Sequence, residues 1–157
     1  MISKKNFLIS GKTKKPIVTD LFYNQSHVKK PLVMFCHGYK GYKDWGAFNL
    51  MTSYFLEAGF AFLKFNFSHN GGTPEQPIDF PDLEAFGHNN YTIELNDIDS
   101  VINWVTSQSD LESNIDFSKI YFIGHSRGGA IVRIAFQEIF NTCKKGIRLV
   151  SIAPCVA

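Results

Sequence analysis

The sequence predicts an α/β fold in which a mostly parallel sheet carries helices on both faces. Two observations lead to this prediction. Short apolar runs of strand length alternate with longer segments in which apolar residues recur at helical spacing. The run PLVMFCH at residues 31–37 is apolar almost throughout, as is typical of a strand that is covered on both sides. Strands that alternate with helices in this way pair in parallel through right-handed crossovers.

The strands are predicted from these runs and from the turns between them. Residues 6–10 and 16–23 flank the polar turn GKTKK and are expected to form a hairpin. Further strands are predicted at residues 31–37, 60–67, 118–124 and about 147–153. Residues 68–91 are rich in Gly, Pro, Asn and Asp. They form a long connection, which in a compact domain is often a lid or a binding loop.

Three helices are predicted from apolar stripes, and Gly59 is expected to end the first of them. Asp44 is predicted to cap that helix, while Lys40 and Lys43 beside it are expected to be solvated. In chain order the stripes are Phe48, Met51, Phe55 and Ala58; Ile98, Val101, Ile102 and Val105; and Ile131, Ile134, Ala135, Ile139 and Phe140.

Composition restricts the classes of function. With 45% hydrophobic and 19% charged residues, the 157 residues indicate one globular domain spanning residues 1–157. The formal charge of +2 is too small to indicate a nucleic-acid-binding surface, and no apolar run reaches the ~18 residues of a membrane span. Cys36, Cys143 and Cys155 lack metal-ligand spacing. Their odd number favours a reducing compartment, so a cytoplasmic protein without a metal is expected.

The sharpest motif is the segment GHSRGG at residues 124–129, which fits the pattern G-x-S-x-G. A predicted strand leads into it and a predicted helix leads out. A serine on such a sharp turn projects from the carboxyl end of the sheet, and small residues at Gly124 and Gly128 prevent clashes within the turn. The start of the helix favours negative charge that develops nearby. Ser126 is therefore the candidate nucleophile.

A second motif, His37-Gly38-Tyr39, ends the earlier buried strand. Acyl transfer needs two N–H donors directed at the developing oxyanion. One comes from the residue after the nucleophile, here Arg127. The other comes from a loop after an earlier strand, where Gly38 lets the backbone approach closely. Tyr39 is the predicted second donor, and Lys40 is the alternative.

Together these motifs resemble the α/β-hydrolase superfamily. The segments HGYKGYKDWG, FNFSHNG and GHSRGG are most similar to its dienelactone-hydrolase and prolyl-oligopeptidase-like branch, and the resemblance runs from about residue 32 to residue 153. It implies a strand order of 1-2-4-3-5-6 within an eight-strand fold, and a Ser-His-Asp mechanism without a cofactor. It also implies Ser126 as nucleophile, with Tyr39 and Arg127 as oxyanion donors.

The sequence departs from this family after the nucleophile. The family order places an acid and then a histidine downstream of the serine. Here Glu138 is the one downstream carboxylate, it lies in a predicted helix, and no histidine follows. The chain is therefore expected to be a partial α/β-hydrolase domain, a fragment with about six of eight strands, and inactive alone.

None of the upstream histidines is a strong candidate for the missing base. His125 is expected to pack under the turn, because neighbouring side chains of a strand point to opposite faces. His37 is expected to brace the loop at Gly38 by hydrogen bonding. His69 and His88 lie in the long connection and could approach the site, whereas His27 is expected to be solvated.

Three functions fit these residues. The leading one is a serine hydrolase that cleaves an ester, thioester or peptide-like acyl bond of a small molecule. A non-catalytic binding module on the same fold is the main alternative, because fold alone does not fix function. Transfer of the acyl group to an alcohol or amine is the third. The substrate and the oligomeric state stay open.

Overall fold

The computed structural model describes residues 1–141, with side chains up to residue 138. The predicted strand at 147–153 lies outside this part, as do Cys143, Cys155 and the side chains of Ile139 and Phe140. Within it, the chain forms five strands and four helices. The strands are β1 (Ile2–Ser10), β2 (Pro16–Tyr23), β3 (Lys30–Cys36), β4 (Ala61–Phe65) and β5 (Ile115–Gly124). The helices are α1 (Phe48–Glu57), α2 (Leu83–His88), α3 (Tyr91–Thr106) and α4 (Arg127–Asn141).

The five strands form one mixed sheet in the order β1-β2-β4-β3-β5. This is the order that the family resemblance implies for these strands. The pairings of β1 with β2 and of β2 with β4 are antiparallel, while β3 is parallel to both β4 and β5. Four of the five described strands therefore run in the same direction, as predicted, and β2 alone runs against them, which makes the sheet mixed. The predicted hairpin is confirmed, and its inner strand joins the parallel part in the antiparallel sense.

Helices cover both faces of the sheet, as predicted. The apolar stripe of α3 (Ile98, Val101, Ile102 and Val105) and the buried residues of α4 pack in the larger core with alternate residues of the central strands. Helix α1 packs on the other face, where Phe48 and Leu56 meet Val33, Phe35 and Phe62. Burial of these apolar side chains on both faces is the main stabilising contribution.

Two residues that the apolar stripes predicted to be buried, Ile134 and Ala58, are exposed. Ile134 is 39% exposed, and Val132 is buried in its place beside Ile131 and Ala135. Helix α4 begins at Arg127, about two residues before the predicted start. The turn at Ser126 therefore determines which side of the helix faces the sheet. In α1 the buried stripe is Phe48, Thr52 and Leu56, and Ala58 is exposed beyond the end of the helix.

Strand β1 forms one edge of the sheet and carries an irregularity. Its register with β2 shifts between Lys4 and Phe7, and Asn6 adopts the left-handed conformation with φ of 52°. The N–H of Asn6 turns to the Oδ1 atom of Asp20 on β2, 2.7 Å away. This is a β-bulge, which bends the strand and leaves one residue outside the ladder.

Candidate functional site

Ser126 lies on the sharp turn between β5 and α4 and is exposed. Its φ of 52° is in the left-handed region, which residues other than glycine, asparagine and aspartate adopt rarely. Two bonds close the turn: the N–H of Gly128 donates to the carbonyl of His125, and that of Gly129 to the carbonyl of Ser126, both at 2.9 Å. Rare backbone geometry of this kind is concentrated at functional sites.

The glycines around Ser126 are required by close backbone contacts. A Cβ atom on Gly124 would lie 2.4 Å from the carbonyl group of Gly128. A Cβ atom on Gly128 would lie 2.3 Å from the carbonyl oxygen of Cys36 and 2.5 Å from that of His37. The turn is thus packed directly against the end of β3, so any side chain at either position would push the nucleophile turn away from the sheet.

The loop after β3 passes next to Ser126. A Cβ atom on Gly38 would lie 2.9 Å from the Cβ of Ser126, so only glycine permits this approach. The N–H of Gly41 donates to the carbonyl of Gly38 at 3.0 Å, and Lys40 has φ of 55°, so the loop is a tight turn. Among residues 1–141, the N–H groups of Tyr39 and Arg127 have no hydrogen-bond partner. These two N–H groups belong to the residues that follow Gly38 and Ser126, which are in contact with each other.

His37 connects this loop to the segment after β4. Its buried ring accepts a hydrogen bond at Nε2 from the N–H of Phe67, 3.1 Å away. Nδ1 therefore carries the proton of the neutral ring and donates to the carbonyl of Gly38 over 2.8 Å. Burial lowers the pKa of His37 to about 4, so the ring stays neutral near pH 7. His37 thus holds the loop in place and is unavailable as a base.

His125 lies beside the loop that follows β3. Its half-buried ring packs against Phe48 and Trp45, with ring centroids 5.4 Å and 6.3 Å apart. It lines a cavity of about 270 Å³ together with Gly38, Tyr39, Lys40, Gly41, Trp45 and Phe48. The prediction that His125 serves in packing is confirmed by these ring contacts, which lie on the α1 side of the sheet.

Arg127 is held by a residue that the sequence analysis did not single out. Its Nε atom donates to Oε2 of Glu94 on α3 over 3.0 Å, and its guanidinium carbon lies 4.5 Å from the centre of the Tyr91 ring. Glu94 is buried, and burial raises the pKa of Glu94 against the opposing hydrogen bonds from Arg127 and Asn89. The sequence did contain a signal, because Glu94 and Asp97 continue the buried stripe of α3 toward its start.

The long connection is anchored to the loop by asparagine side chains. Asn66 accepts from the N–H of Lys43 at 2.7 Å, and Asn70 donates to the carbonyl of Gly41 at 3.2 Å. Deeper in the core, the N–H of Ser68 donates to Oδ2 of Asp97 at 2.8 Å. Much of this connection is therefore fixed, and it contains the short helix α2, which the polar composition of the segment did not predict.

A buried ion cluster supports the same loop from its far side. Lys43 pairs with Asp20 at 2.7 Å and with Asp44 at 2.5 Å, while Lys64 pairs with Asp44 and contacts Asn49. Both lysines are only 1% exposed, so the expectation that Lys43 is solvated is wrong. Asp44 does not cap α1, where Ala47 is the cap residue and no side chain serves. Its carboxylate is occupied by the two lysines.

The upstream histidines in the long connection have other partners. His69 is buried with Nδ1 at 2.8 Å from the hydroxyl of Ser68, and burial lowers the pKa of His69. His88 is exposed and bonds through Nδ1 to the carbonyl of Glu84 at 2.8 Å. Glu138 is exposed on α4. Within residues 1–141, no side chain forms a hydrogen bond with the hydroxyl of Ser126.

Neither a metal-binding cluster nor a membrane-spanning helix is found in the described part of the chain. No cluster of three or more His, Cys, Asp or Glu residues suited to a metal ion occurs among the described residues. None of the helices within residues 1–141 has the length and apolar character needed to cross a membrane.

The fold is shared with solved hydrolase structures. A dienelactone hydrolase from Anabaena variabilis matches with a TM-score of 0.72 and 17% identity, over 96% of this chain and 62% of its own. A putative hydrolase from Agrobacterium vitis matches with a TM-score of 0.72 and 14% identity, over 98% of this chain and 52% of its own. Est1E from Butyrivibrio proteoclasticus, solved with ferulic acid, matches with a TM-score of 0.66 and 20% identity, over 86% of this chain and 48% of its own.

These matches establish the fold of the described part as that of the α/β hydrolases. The chain spans roughly half to three fifths of the length of these structures. No protein-family model and no curated protein sequence matches the chain.

Proposed function

We propose that the protein is a serine hydrolase that cleaves an ester, thioester or peptide-like acyl bond of a small molecule through an acyl-enzyme on Ser126. The observation that carries this proposal is the exposed Ser126 at φ of 52°, with Gly38 of a second loop packed against it. The likeness of the fold to esterases and hydrolases supports it.

In the proposed reaction, the Ser126 oxygen attacks the carbonyl carbon of the substrate. Its proton passes to a general base, which the family resemblance places downstream of the serine and which none of the side chains described up to residue 138 supplies. The carbonyl oxygen becomes an oxyanion and accepts hydrogen bonds from the N–H groups of Tyr39 and Arg127. The leaving group departs with a proton, and water then attacks the acyl-enzyme, releasing the acid and restoring the serine. The N-terminal end of α4 adds favourable potential at the oxyanion.

Each oxyanion donor is held by a separate set of contacts. The loop that carries Tyr39 is fixed by His37 and by the buried Lys43, and Arg127 is fixed by Glu94. Donors that are already oriented need no rearrangement when charge develops, which is why such sites lower the barrier. Est1E was solved with ferulic acid, a small carboxylic acid, and we propose small acyl substrates for this protein as well.

A non-catalytic binding module is the second candidate. It is favoured by one observation: within residues 1–141, no side chain is hydrogen-bonded to Ser126 as a base would be. The two candidates differ in whether the serine is nucleophilic, which a covalent probe measures directly.

The test is labelling of the protein at its natural full length with a fluorophosphonate, followed by mass spectrometry of the modified peptide. The hydrolase proposal predicts labelling at Ser126 that Ser126→Ala abolishes. The matched control is Ser109→Ala, an exposed serine in the turn that follows α3, which should label like the wild type. Labelling that survives in Ser126→Ala would overturn the proposal. A wild-type protein that is not labelled, yet binds small esters reversibly, would favour the binding module.

A further inference from the structure

We propose that Glu94 is a positioning residue: through the side chain of Arg127, it fixes the backbone N–H of residue 127 in the place where the oxyanion forms. This inference rests on the proposed function. Glu94 lies on α3, 32 positions before the nucleophile in the chain, and it does not touch the reacting atoms.

The contact itself is specific. Oε2 of Glu94 accepts from Nε of Arg127 at 3.0 Å, and the Glu94 and Arg127 side chains are 5% and 22% exposed. The second oxygen, Oε1, accepts from the side-chain amide of Asn89 at 2.8 Å. Both carboxylate oxygens are thus engaged, so the carboxylate cannot rotate without losing a hydrogen bond. Charge-assisted bonds of this kind are about twice as strong as neutral ones.

The other side of the guanidinium is also restrained. Its central carbon lies 4.5 Å from the centre of the Tyr91 ring and 6.0 Å from that of Tyr39. Tyr91 opens α3, so the same helix supplies a carboxylate at the edge of the guanidinium and a ring at its face. Tyr39 lies in the loop of the other donor. The Arg127 side chain therefore links the two loops that flank Ser126.

A buried carboxylate has a cost that an apolar residue would avoid. The position of Glu94 continues the apolar stripe of α3, where a leucine would favour folding more. The partner of this carboxylate is the first residue of α4, directly after the strained serine. The N–H of a first helical residue has no acceptor inside the helix, so its direction depends on how the residue is held. Anchoring Arg127 by its side chain supplies that restraint.

The pairing also removes a competing role for Arg127. Its charge is compensated by Glu94 instead of being free for a substrate carboxylate. The contribution of residue 127 to the reaction is then the backbone N–H, and the side chain serves to hold it. Misplacement of a reacting partner by about 1 Å can reduce a rate about 100-fold, so a loosened anchor should be measurable.

The test is the kinetics of Ser126 phosphonylation by a fluorophosphonate, in which the serine oxygen displaces fluoride at phosphorus, with the maximal rate constant and the half-saturating concentration determined separately on the full-length protein. Glu94→Ala should lower the maximal rate by about 10- to 100-fold with little change in half-saturation. Glu94→Gln keeps the acceptor for Arg127 and should stay within about 3-fold of the wild type. Asp99→Asn is the matched control on the same helix, since Asp99 pairs at 2.8 Å with the exposed Lys12 and should leave the rate unchanged.

A second variant tests the same link without depending on whether Glu94→Ala folds. Glu94→Gln combined with Arg127→Met removes the link without leaving a buried charge, and it retains the backbone N–H. It should be slowed like Glu94→Ala while its thermal melting stays cooperative. Unchanged phosphonylation rates in both variants would overturn the positioning role while leaving the hydrolase proposal intact. Labelling that persists in Ser126→Ala would instead refute the hydrolase itself.

Discussion

The carbonyl oxygen of Cys36 accepts a hydrogen bond from the N–H of His125 over 3.0 Å, which joins the last residue of β3 to the residue before Ser126. The same carbonyl lies 2.3 Å from where a Cβ of Gly128 would stand. The parallel pairing of β3 with β5 thus continues into the two loops that build the site. Their relative position is set by backbone contacts, which side-chain substitutions elsewhere do not disturb.

This contact predicts a large effect of Gly128→Ala. The added methyl would meet backbone oxygens of Cys36 and His37, which cannot move without separating β3 from the turn. We expect the free energy of unfolding to fall by about 3 kcal/mol or more, measured by urea denaturation. Gly87→Ala is the control: no atom lies within 4 Å of its added Cβ, so its stability should be unchanged or slightly higher. Equal effects of the two substitutions would contradict this account.

The left-handed backbone of Ser126 predicts that a serine at this position reduces the stability of the folded protein. Glycine adopts φ of 52° without strain, whereas alanine does not. Ser126→Gly should therefore raise the free energy of unfolding by about 1 kcal/mol, and Ser126→Ala should not. Both variants should lose fluorophosphonate labelling. Thermal melts of the two variants beside the wild type give the comparison, and a Ser126→Ala protein as stable as Ser126→Gly would argue against backbone strain.

The buried Asp97 predicts a pH-dependent stability. Its carboxyl is fully buried with one oxygen unpartnered among the described residues, and burial raises the pKa of Asp97 to about 7. The unfolded chain therefore releases this proton at lower pH than the folded protein does. As pH rises from 5 to 7, the contribution of Asp97 to folding should become less favourable, by about 2 kcal/mol in total.

Asp97→Asn removes that titration. Relative to the wild type, this variant should gain stability as the pH is raised from 5 to 7, measured by urea denaturation at each pH. Asp110→Asn, which changes a carboxyl that is 60% exposed, should show no comparable trend. A constant difference between Asp97→Asn and the wild type across this range would show that Asp97 does not titrate there.

The ion cluster predicts that Lys43 matters far more than other lysines of the chain. Lys43→Met leaves the buried Asp20 and the half-buried Asp44 with one cation between them, and we expect a loss of about 3 kcal/mol in the free energy of unfolding. Lys4→Met removes a pair with Asp110 whose side chains are 41% and 60% exposed, and it should cost less than about 1 kcal/mol. Similar losses for both lysines would place Lys43 in a more hydrated setting than its contacts indicate.

The features that were predictable from sequence are local ones. The hairpin, the helices and the glycines around Ser126 follow from spacing and turn chemistry, because each depends on neighbours in the chain. The strand order of the described sheet was available only through the family resemblance. The antiparallel pairing of β2 with β4 was not predicted from the residues, because it depends on which strand of the hairpin meets β4.

The buried charges are the other part that sequence reasoning missed. A lysine in a polar loop is ordinarily solvated, and Lys43 becomes buried only because Asp20 from β2 and Asp44 meet it at the sheet. Glu94 similarly needs Arg127, 33 positions away in the chain. Ion pairs between residues that are distant in the chain produce no periodic pattern in the sequence. An acidic residue continuing an apolar stripe is the one local sign that such a partner exists.

The irregular strand β1 has a consequence for how copies of this protein meet. Its outer edge would offer a second chain a row of unpaired amides, which is a route to aggregation. The left-handed Asn6 interrupts that row, and Lys4 and Lys5 place positive charge beside the break. Docking another strand there would force like charges together across a distorted template. The amino-terminal hairpin therefore disfavours aggregation through strand pairing at this edge of the sheet.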